Sequence, residues 1–491
     1  MTNIISRSRF AAGLQCEKLL WWKAHESEAP VSVENPSVEY LEVEEERVVQ
    51  KARSEFPDGF LIDFPEDQIQ ERVEATEMAL AREETAIFQA TFFEEGVVVS
   101  VDILARRGRG YSLIEVSSDT SIAPNRLWEV AVQAYVLRRA GVDVDSVEIM
   151  HLNEKCRFPE MDDLFVVESI SGRVRGLYPQ LSEIISKQVA LLAGPLPEVP
   201  VGDHCDKPTK CPFKDRCWPS LPKHHVETFY GLRKEKSAQL EAQELTKVEE
   251  VPSSFPLTLI QQRQQRSVVD GEVVVEDSLA GALAPFQKRV AYLDFQAVPL
   301  SIPVWVGMGP WQKHPVQFGC QVVLPNGDVK EHAWLADGPE DSRAVMAQAL
   351  LETLEGVDVV VAYDKGAQKK CLEAIAAAVP EQAREIMAIS SKTLDLLPVV
   401  RDHVYHPDFL GSFSLDSVLP PLVPSLAYEP PGVSEGLSTE SLLHRLLFSG
   451  EAQPSAELRA LRERLQKTCT RDAMALVHLK ERLDELAEAR S

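Results

Sequence analysis

AIFQATFFEEGVVVSVDILARRGRGYSLIEVSS, residues 86–118, decides the reading of the N-terminal half. Apolar residues recur with a period of two on either side of the turn RRGRG (106–110), which is the pattern of paired strands. RLWEVAVQAYVLRRAG (126–141) changes the period to that of an amphipathic helix ending on Gly141, and VDSVEIMHLN (144–153) returns to a strand. Strand, strand, helix, strand predicts an α/β core over about 86–153. Working outward, RFAAGLQCEKLLWWKAHE (9–26) and the acidic stretch 38–55 before the turn PDG (57–59) carry helical spacing and read as flanks.

Further along, residues 221–285 are polar, helix-prone and broken by VPSSFP (251–256), which predicts a helical connector. At 290 the texture changes. RVAYLDFQAV (289–298), VQFGCQVVLPNGDV (316–329, a hairpin on Asn326-Gly327) and KEHAWLA (330–336) are three consecutive strand signals. A helix at about 342–355, the apolar strand VDVVVAYD (357–364), a helix at 366–378 and a last helix in LQKTCTRDAMALVHLKERLDELAEA (465–489) follow. Three antiparallel strands and then alternating helix and strand is the order of an RNase H-like fold. The expected domains are therefore 1–220, the connector 221–285, and 286–491.

Length and charge narrow the function. A chain of 491 residues exceeds what one core supports, so two or three domains are expected. A formal charge of −25 argues against bulk coating of nucleic acid, because such binding replaces phosphate counterions with Lys and Arg. Contact with DNA would be local, and Lys207, Lys210, Lys214, Arg233 and Lys234 are the candidates; a solvated basic face is the plainer reading of the same residues. No apolar run approaches the length of a membrane span, and MTNIISRSRFAAG lacks the apolar core of a signal peptide, so a cytoplasmic protein with no membrane partner is expected.

In such a chain the eight cysteines are thiols or metal ligands rather than disulfides. Cys205, Cys211 and Cys217 fall in HCDKPTKCPFKDRCWP, a Pro- and Lys-rich loop with little of its own to stiffen it. Zinc could be completed there by His204, His224 or His225. An iron-sulfur cluster would need a fourth thiolate, for which Cys16 is available.

One Cys near the start, in RFAAGLQCEKLLWW, and three just after the α/β core resemble the CRISPR-associated and helicase-linked RecB-like iron-sulfur nucleases. The resemblance implies a restriction-endonuclease-like PD-(D/E)XK domain whose two ends are joined by a [4Fe-4S] cluster on Cys16, Cys205, Cys211 and Cys217. It also implies that Asp102 in VDIL and Glu115 in IEVSS bind Mg²⁺ or Mn²⁺, with Gln133 and Tyr135 matching the family's Gln-Tyr helix. One of Glu44, Glu45 and Glu46 would add a ligand. The chain departs from the family at Ser117, where the pattern has the Lys that stabilises the hydroxide and the phosphorane. Arg106, Arg107 and Arg126 are candidate substitutes.

LDFQ (293–296), AYDKGAQ (362–368) and TCTRD (468–472) fall where exonucleases of the DnaQ type carry four carboxylates for two metals. Asp294 and Asp472 are present, Gln296 and Gln368 stand for Glu, and Thr468 stands for Tyr. An amide keeps the size of a carboxylate without its charge, so this is expected to be a degenerate exonuclease site, with Asp364 and Asp395 nearby in sequence as substitute ligands. With IPVWVGMGPWQKHPVQ (302–317) and LDLLPVVRDHVYHPDFLGSFSLDSVLPPL (394–422), nearly the whole chain resembles an uncharacterised bacterial family joining the two nuclease domains, in which Asp416 is usually Lys. Two functions follow as expectations: a metal-dependent DNA nuclease, or a nucleic-acid-binding or scaffold subunit of a DNA repair, CRISPR or phage-defence assembly with protein partners.

Overall fold

The computed structural model describes residues 4–26, 38–218, 220–324, 326–426, 437–449 and 455–490 of a mixed α/β protein. It divides into two compact units: Met1–Pro219 with Leu300–Pro303 and Gly309–Gln312, and the rest from Ser220 onward. No helix among the described residues is long and apolar enough to cross a membrane.

The first unit is built on a six-stranded sheet of β1 (Phe60–Leu61), β2 (Ala86–Glu94), β3 (Val97–Arg107), β4 (Gly110–Ser117), β5 (Val144–Leu152) and β6 (Phe165–Ser169), in that spatial order. β2, β3 and β4 form an antiparallel meander, whereas β4 and β5 run parallel because a helix lies between them in sequence. Helices α1 (Arg7–Gln15), α2 (Glu17–His25), α3 (Val38–Arg53), α4 (Ile69–Ala81) and α5 (Arg126–Arg139) flank the sheet. α5 buries Val130, Ala131 and Ala134 with Val99, Val101 and Leu104, and α3 packs Val48 and Ala52 with Ile103, Ile114 and Val116.

A simple alternation fails within β2 and β3. Val97, Val99 and Val101 lie in the core shared with α5, yet Ile103 and Ala105 lie in the core shared with α3. On β2, Ala90 and Phe92 share the α5 side while Ala86 and Phe88 share the other. Both strands exchange faces at one point, between Gln89 and Asp102. Gln89 has a φ of 58°, a left-handed conformation that a side chain other than glycine adopts only where its surroundings compel it.

The second unit carries a five-stranded sheet of β8 (Val290–Pro299), β9 (Lys313–Val323), β10 (Val329–Leu335), β11 (Val359–Ala362) and β12 (Thr393–Asp395), in the order β10-β9-β8-β11-β12. β8, β9 and β10 are antiparallel, and β11 joins β8 in parallel. The helix Ala456–Glu488 crosses β8 and β9. Its approach depends on Gly319: a Cβ there would lie 2.3 Å from the Cys469 carbonyl oxygen. Gln317 and Gln321 of β9 donate to the carbonyls of Leu465 and Thr470, at 2.9 and 3.0 Å, and fix the helix in place.

Residues 221–285 are not a connector. They belong to the second unit, where β7 (Val274–Val275) pairs with β13 (Val404–Tyr405) and the helix Leu259–Asp270 buries Gln261, Arg263, Gln264 and Ser267. Gln261 and Gln264 bond the backbone of Tyr230 and Thr228. A helix that docks through amides has no apolar stripe, which is why its sequence reads as solvated.

Gly319→Ala is expected to destabilise the protein by about 1–3 kcal/mol, since the obstructing atom is backbone and cannot rotate away. Urea denaturation followed by circular dichroism checks this, and an unchanged midpoint would contradict the helix placement.

Candidate active site and cysteine recess

The face exchange brings Asp102 beside Glu115 of the neighbouring strand. Asp102 accepts from the Val116 amide at 2.9 Å and from Gln89 Nε2 at 3.4 Å. Glu115 is fully buried, accepts from Gln133 Nε2 at 2.9 Å and is ion-paired with Arg7 Nη1. Gln133 also donates to the Ser100 carbonyl at 3.1 Å, which leaves its buried Oε1 as an acceptor without a partner. Desolvation raises the Asp102 carboxyl above its ordinary range, opposed by the field of Arg7, the Val116 amide and the fields of Arg126 and Arg53. A fully buried and a half-buried carboxylate on adjacent strands, with cations around them and an orphaned acceptor beside them, are a donor set suited to a small hard divalent ion.

Of the residues expected here, Asp102, Glu115 and Gln133 are brought together and Tyr135 is not. Its hydroxyl donates to Glu95 at 3.0 Å. The expected extra carboxylate on α3 is likewise otherwise engaged. Glu44 accepts from the amide and hydroxyl of Ser301, both at 2.6 Å, and from Arg47 at 2.8 Å, while Glu45 and Glu46 are exposed. Arg106 pairs with Glu83, Arg107 is exposed, and Arg126 is the one candidate substitute whose field reaches Asp102. Ser117 is buried, with its hydroxyl 3.3 Å from an Asp119 carboxylate oxygen.

Sequence reading missed Arg7, Gln89 and Arg72. Arg72 on α4 is buried, bonds Thr91 at 3.0 Å and reaches Gln89 Oε1 at 3.4 Å, so it supports the distorted strand from behind. Its signal, an Arg on the buried face of a helix, is visible only once the helix is placed.

Cys16 caps the end of α1 and the start of α2, and Cys16, Cys205, Cys211 and Cys217 line one recess with Lys18 and Trp22. The recess is narrow and partly open to solvent. Gln15 ties the two chain segments together by donating to the carbonyls of His204 and Thr209 at 2.8 and 2.7 Å. Arg216 adds an ion pair to Glu26 at 2.6 Å and lies over the rings of Phe213 and Trp22. Burial pushes the Cys211 and Cys217 thiols up, and their neighbouring thiols add to the shift. Such a set repels itself when ionised and is stabilised by a bound cationic centre. Among the described residues no group of three or more His, Cys, Asp or Glu is placed so that it could hold a metal ion. His204 lines the recess, whereas His224 and His225 lie in the second unit.

The basic candidates divide as well. Lys207, Lys210 and Lys214 belong to the first unit, with Lys214 paired to Asp206 at 2.9 Å, and exposed Arg233 and Lys234 belong to the second.

In the second unit Gln296 Nε2 donates to Asp294 at 2.8 Å. Burial and the charge of Asp472 push the Asp294 carboxyl up to about 7. Gln368 is buried with neither amide atom bonded. Asp395 accepts from the amides of Asp364, Lys365 and Leu397 at 3.0–3.1 Å and caps the following helix. Asp364 accepts from the Gly366 amide at the head of its own helix. Thr468 donates to the Arg464 carbonyl.

Residues 291–414 match the family described as a domain of unknown function (DUF2779), a stretch that includes Asp294, Gln296, Gln368 and Asp395 and stops before Asp472. No curated protein matches the chain.

Because folding raises the Asp294 pKa, the native state holds a proton that the unfolded chain releases near pH 4. Stability is therefore expected to fall as pH rises from about 4 to about 7, and to level off above. Asp294→Asn should remove that part of the slope in metal-free buffer. An identical pH profile for the variant would contradict the assignment.

Proposed function

We propose that the protein is a metal-dependent DNA-processing nuclease whose active centre is Asp102 and Glu115 in the first unit. The observation that carries this reading is the Asp102–Glu115 pair itself: two carboxylates on adjacent strands, one clamped by Gln133 from the next helix and both facing guanidinium groups. Mg²⁺ or Mn²⁺ bound there would polarise a phosphodiester and lower the pKa of water. Gln133 keeps Glu115 in its rotamer, and Gln89 and the Val116 amide orient Asp102. The sheet, with its antiparallel meander followed by a helix and a parallel strand, supports a restriction-endonuclease-like PD-(D/E)XK unit.

The recess supports a [4Fe-4S] cluster held by Cys16, Cys205, Cys211 and Cys217, which would tie the first helices to the end of the unit. The strand order β10-β9-β8-β11-β12 supports an RNase H-like second unit of DnaQ type. With an amide bonded to Asp294 and Asp395 consumed by backbone, its exonuclease site is degenerate and its contribution is to bind.

Ser117 favours a second reading, a nucleic-acid-binding or scaffold subunit that keeps both folds without cutting, because its hydroxyl is turned to Asp119 and carries no charge. Cluster-loaded full-length protein, purified without air and given Mg²⁺ or Mn²⁺ with single- and double-stranded DNA, separates the two. Cutting should fall by ~10²- to 10⁴-fold in Asp102→Ala and in Glu115→Ala. DNA binding with no cutting under any of these conditions would favour the second reading, and cutting that survives both substitutions would remove the site.

A further inference from the structure

The lysine missing at position 117 leaves a question of charge: what faces the phosphate as negative charge builds on it? Four arginines have a claim. Arg106 is spent on Glu83 at the surface, and Arg53 is 3.9 Å from Glu46 and lies over the Phe88 ring. Arg126 is 3.5 Å from Glu129. Arg7, in the first turn of α1, is the one whose guanidinium bonds Glu115 directly.

We propose that Arg7 is the catalytic cation of the first unit, supplied from the N-terminal helix in place of the lysine that the strand lacks. The inference rests on the nuclease reading above and adds to it the group that touches the reacting phosphate.

The geometry supports it in three ways. First, the guanidinium is held from two sides, with Nη1 on Glu115 and Nε 3.9 Å from Glu129. Glu129 and Gln133 are four residues apart on α5 and so project from the same face, which makes one helix the seat of both Glu115 and Arg7. Second, the Arg7 side chain is 36% exposed while that of Glu115 is 1% exposed. One edge of the guanidinium is therefore committed to the buried carboxylate and its remaining N–H groups are left for a ligand arriving from solvent, the geometry in which arginine binds phosphate. Third, Arg7 is the strongest of the charges that offset the desolvation of Asp102, so it acts on both carboxylates.

The chemistry sets limits on the role. A guanidinium offers only N–H donors and no acceptor, so Arg7 cannot be the general base. In hydrolysis the water oxygen forms a bond to phosphorus, one phosphorus–oxygen ester bond breaks, and the water proton is lost while the departing oxygen gains one. No electron transfer is involved and Arg7 ends the cycle as it began, donating N–H groups to the non-bridging oxygens while they carry most charge.

The same pairing makes Arg7 a competitor of the metal ion for Glu115. The test therefore has a readout independent of cutting. In the full-length, cluster-loaded protein, Arg7→Ala and Arg7→Gln should bind Mn²⁺ about tenfold more tightly than wild type, because a neighbouring positive charge is gone. Electron paramagnetic resonance titration of free Mn²⁺ reads this directly. The same variants should cut DNA ~10²- to 10⁴-fold more slowly, with Arg7→Lys retaining more activity and added methylguanidinium restoring part of the Arg7→Ala rate. Unchanged melting temperatures separate these effects from loss of fold. Cutting by Arg7→Ala at the wild-type rate would overturn the proposal and leave Asp102 and Glu115 in place, as would unchanged Mn²⁺ affinity. If wild type fails to cut at all, the nuclease reading falls, and the catalytic role of Arg7 falls with it.

Discussion

Everything proposed for the first unit depends on where α1 is held. At its start Arg7 pairs with Glu115, and at its end Cys16 closes a recess lined by three cysteines from almost two hundred residues later in the chain. The helix that links them, Arg7–Gln15, has nine residues and spans about 13 Å at 1.5 Å per residue. The two amide hydrogen bonds of Gln15 to His204 and Thr209, and the ion pair of Arg216 with Glu26, are polar contacts of partly exposed groups, individually weak. A metal centre shared by both segments would bind them far more strongly than these contacts do. In this account the cluster takes no part in the chemistry. Its proposed role is to fix the helix that carries Arg7.

The second constraint is the exchange of faces at Gln89 and Asp102. A regular strand would turn Asp102 and the residues beyond it to the opposite core, and Ile103 would then have to change places with Leu104. Gln89 absorbs the irregularity with a left-handed backbone, and the buried Arg72 bonds its side chain from behind. Strained backbone beside a buried carboxylate is common where a site has to be held ready before its ligand arrives. The second unit shows the reverse condition. Gln296 bonded to Asp294, and Asp395 capping a helix, turn what could be a metal site into a set of internal hydrogen bonds.

The sequence made the strands legible because their cores are apolar and period two, and the Gly-rich turn at 106–110 and Asn326-Gly327 mark the hairpins. Asp102, Glu115 and Gln133 were singled out by the resemblance to a nuclease family, and the fold brings them onto neighbouring elements. Three things were not legible. The segment 221–285 docks through Gln261 and Gln264, and buried amides look like surface in a one-dimensional pattern. The inversion at Gln89 depends on a backbone angle that no side chain there announces. Arg7 lies 108 residues from Glu115, and only the folding of α1 against the sheet unites them. Tyr135 and Glu44 sit at plausible spacings yet are directed to Glu95 and Ser301, because spacing fixes the element and the contacts around it fix the direction.

The most direct measurement is the content of iron and acid-labile sulfide in full-length protein purified without air, alongside Cys16→Ser prepared in the same way. About four of each per chain are expected for the wild type, with loss of both in the variant together with a lower melting temperature. Stoichiometric zinc without iron, or an iron content unaffected by Cys16→Ser, would contradict a cluster that joins the two ends of the unit.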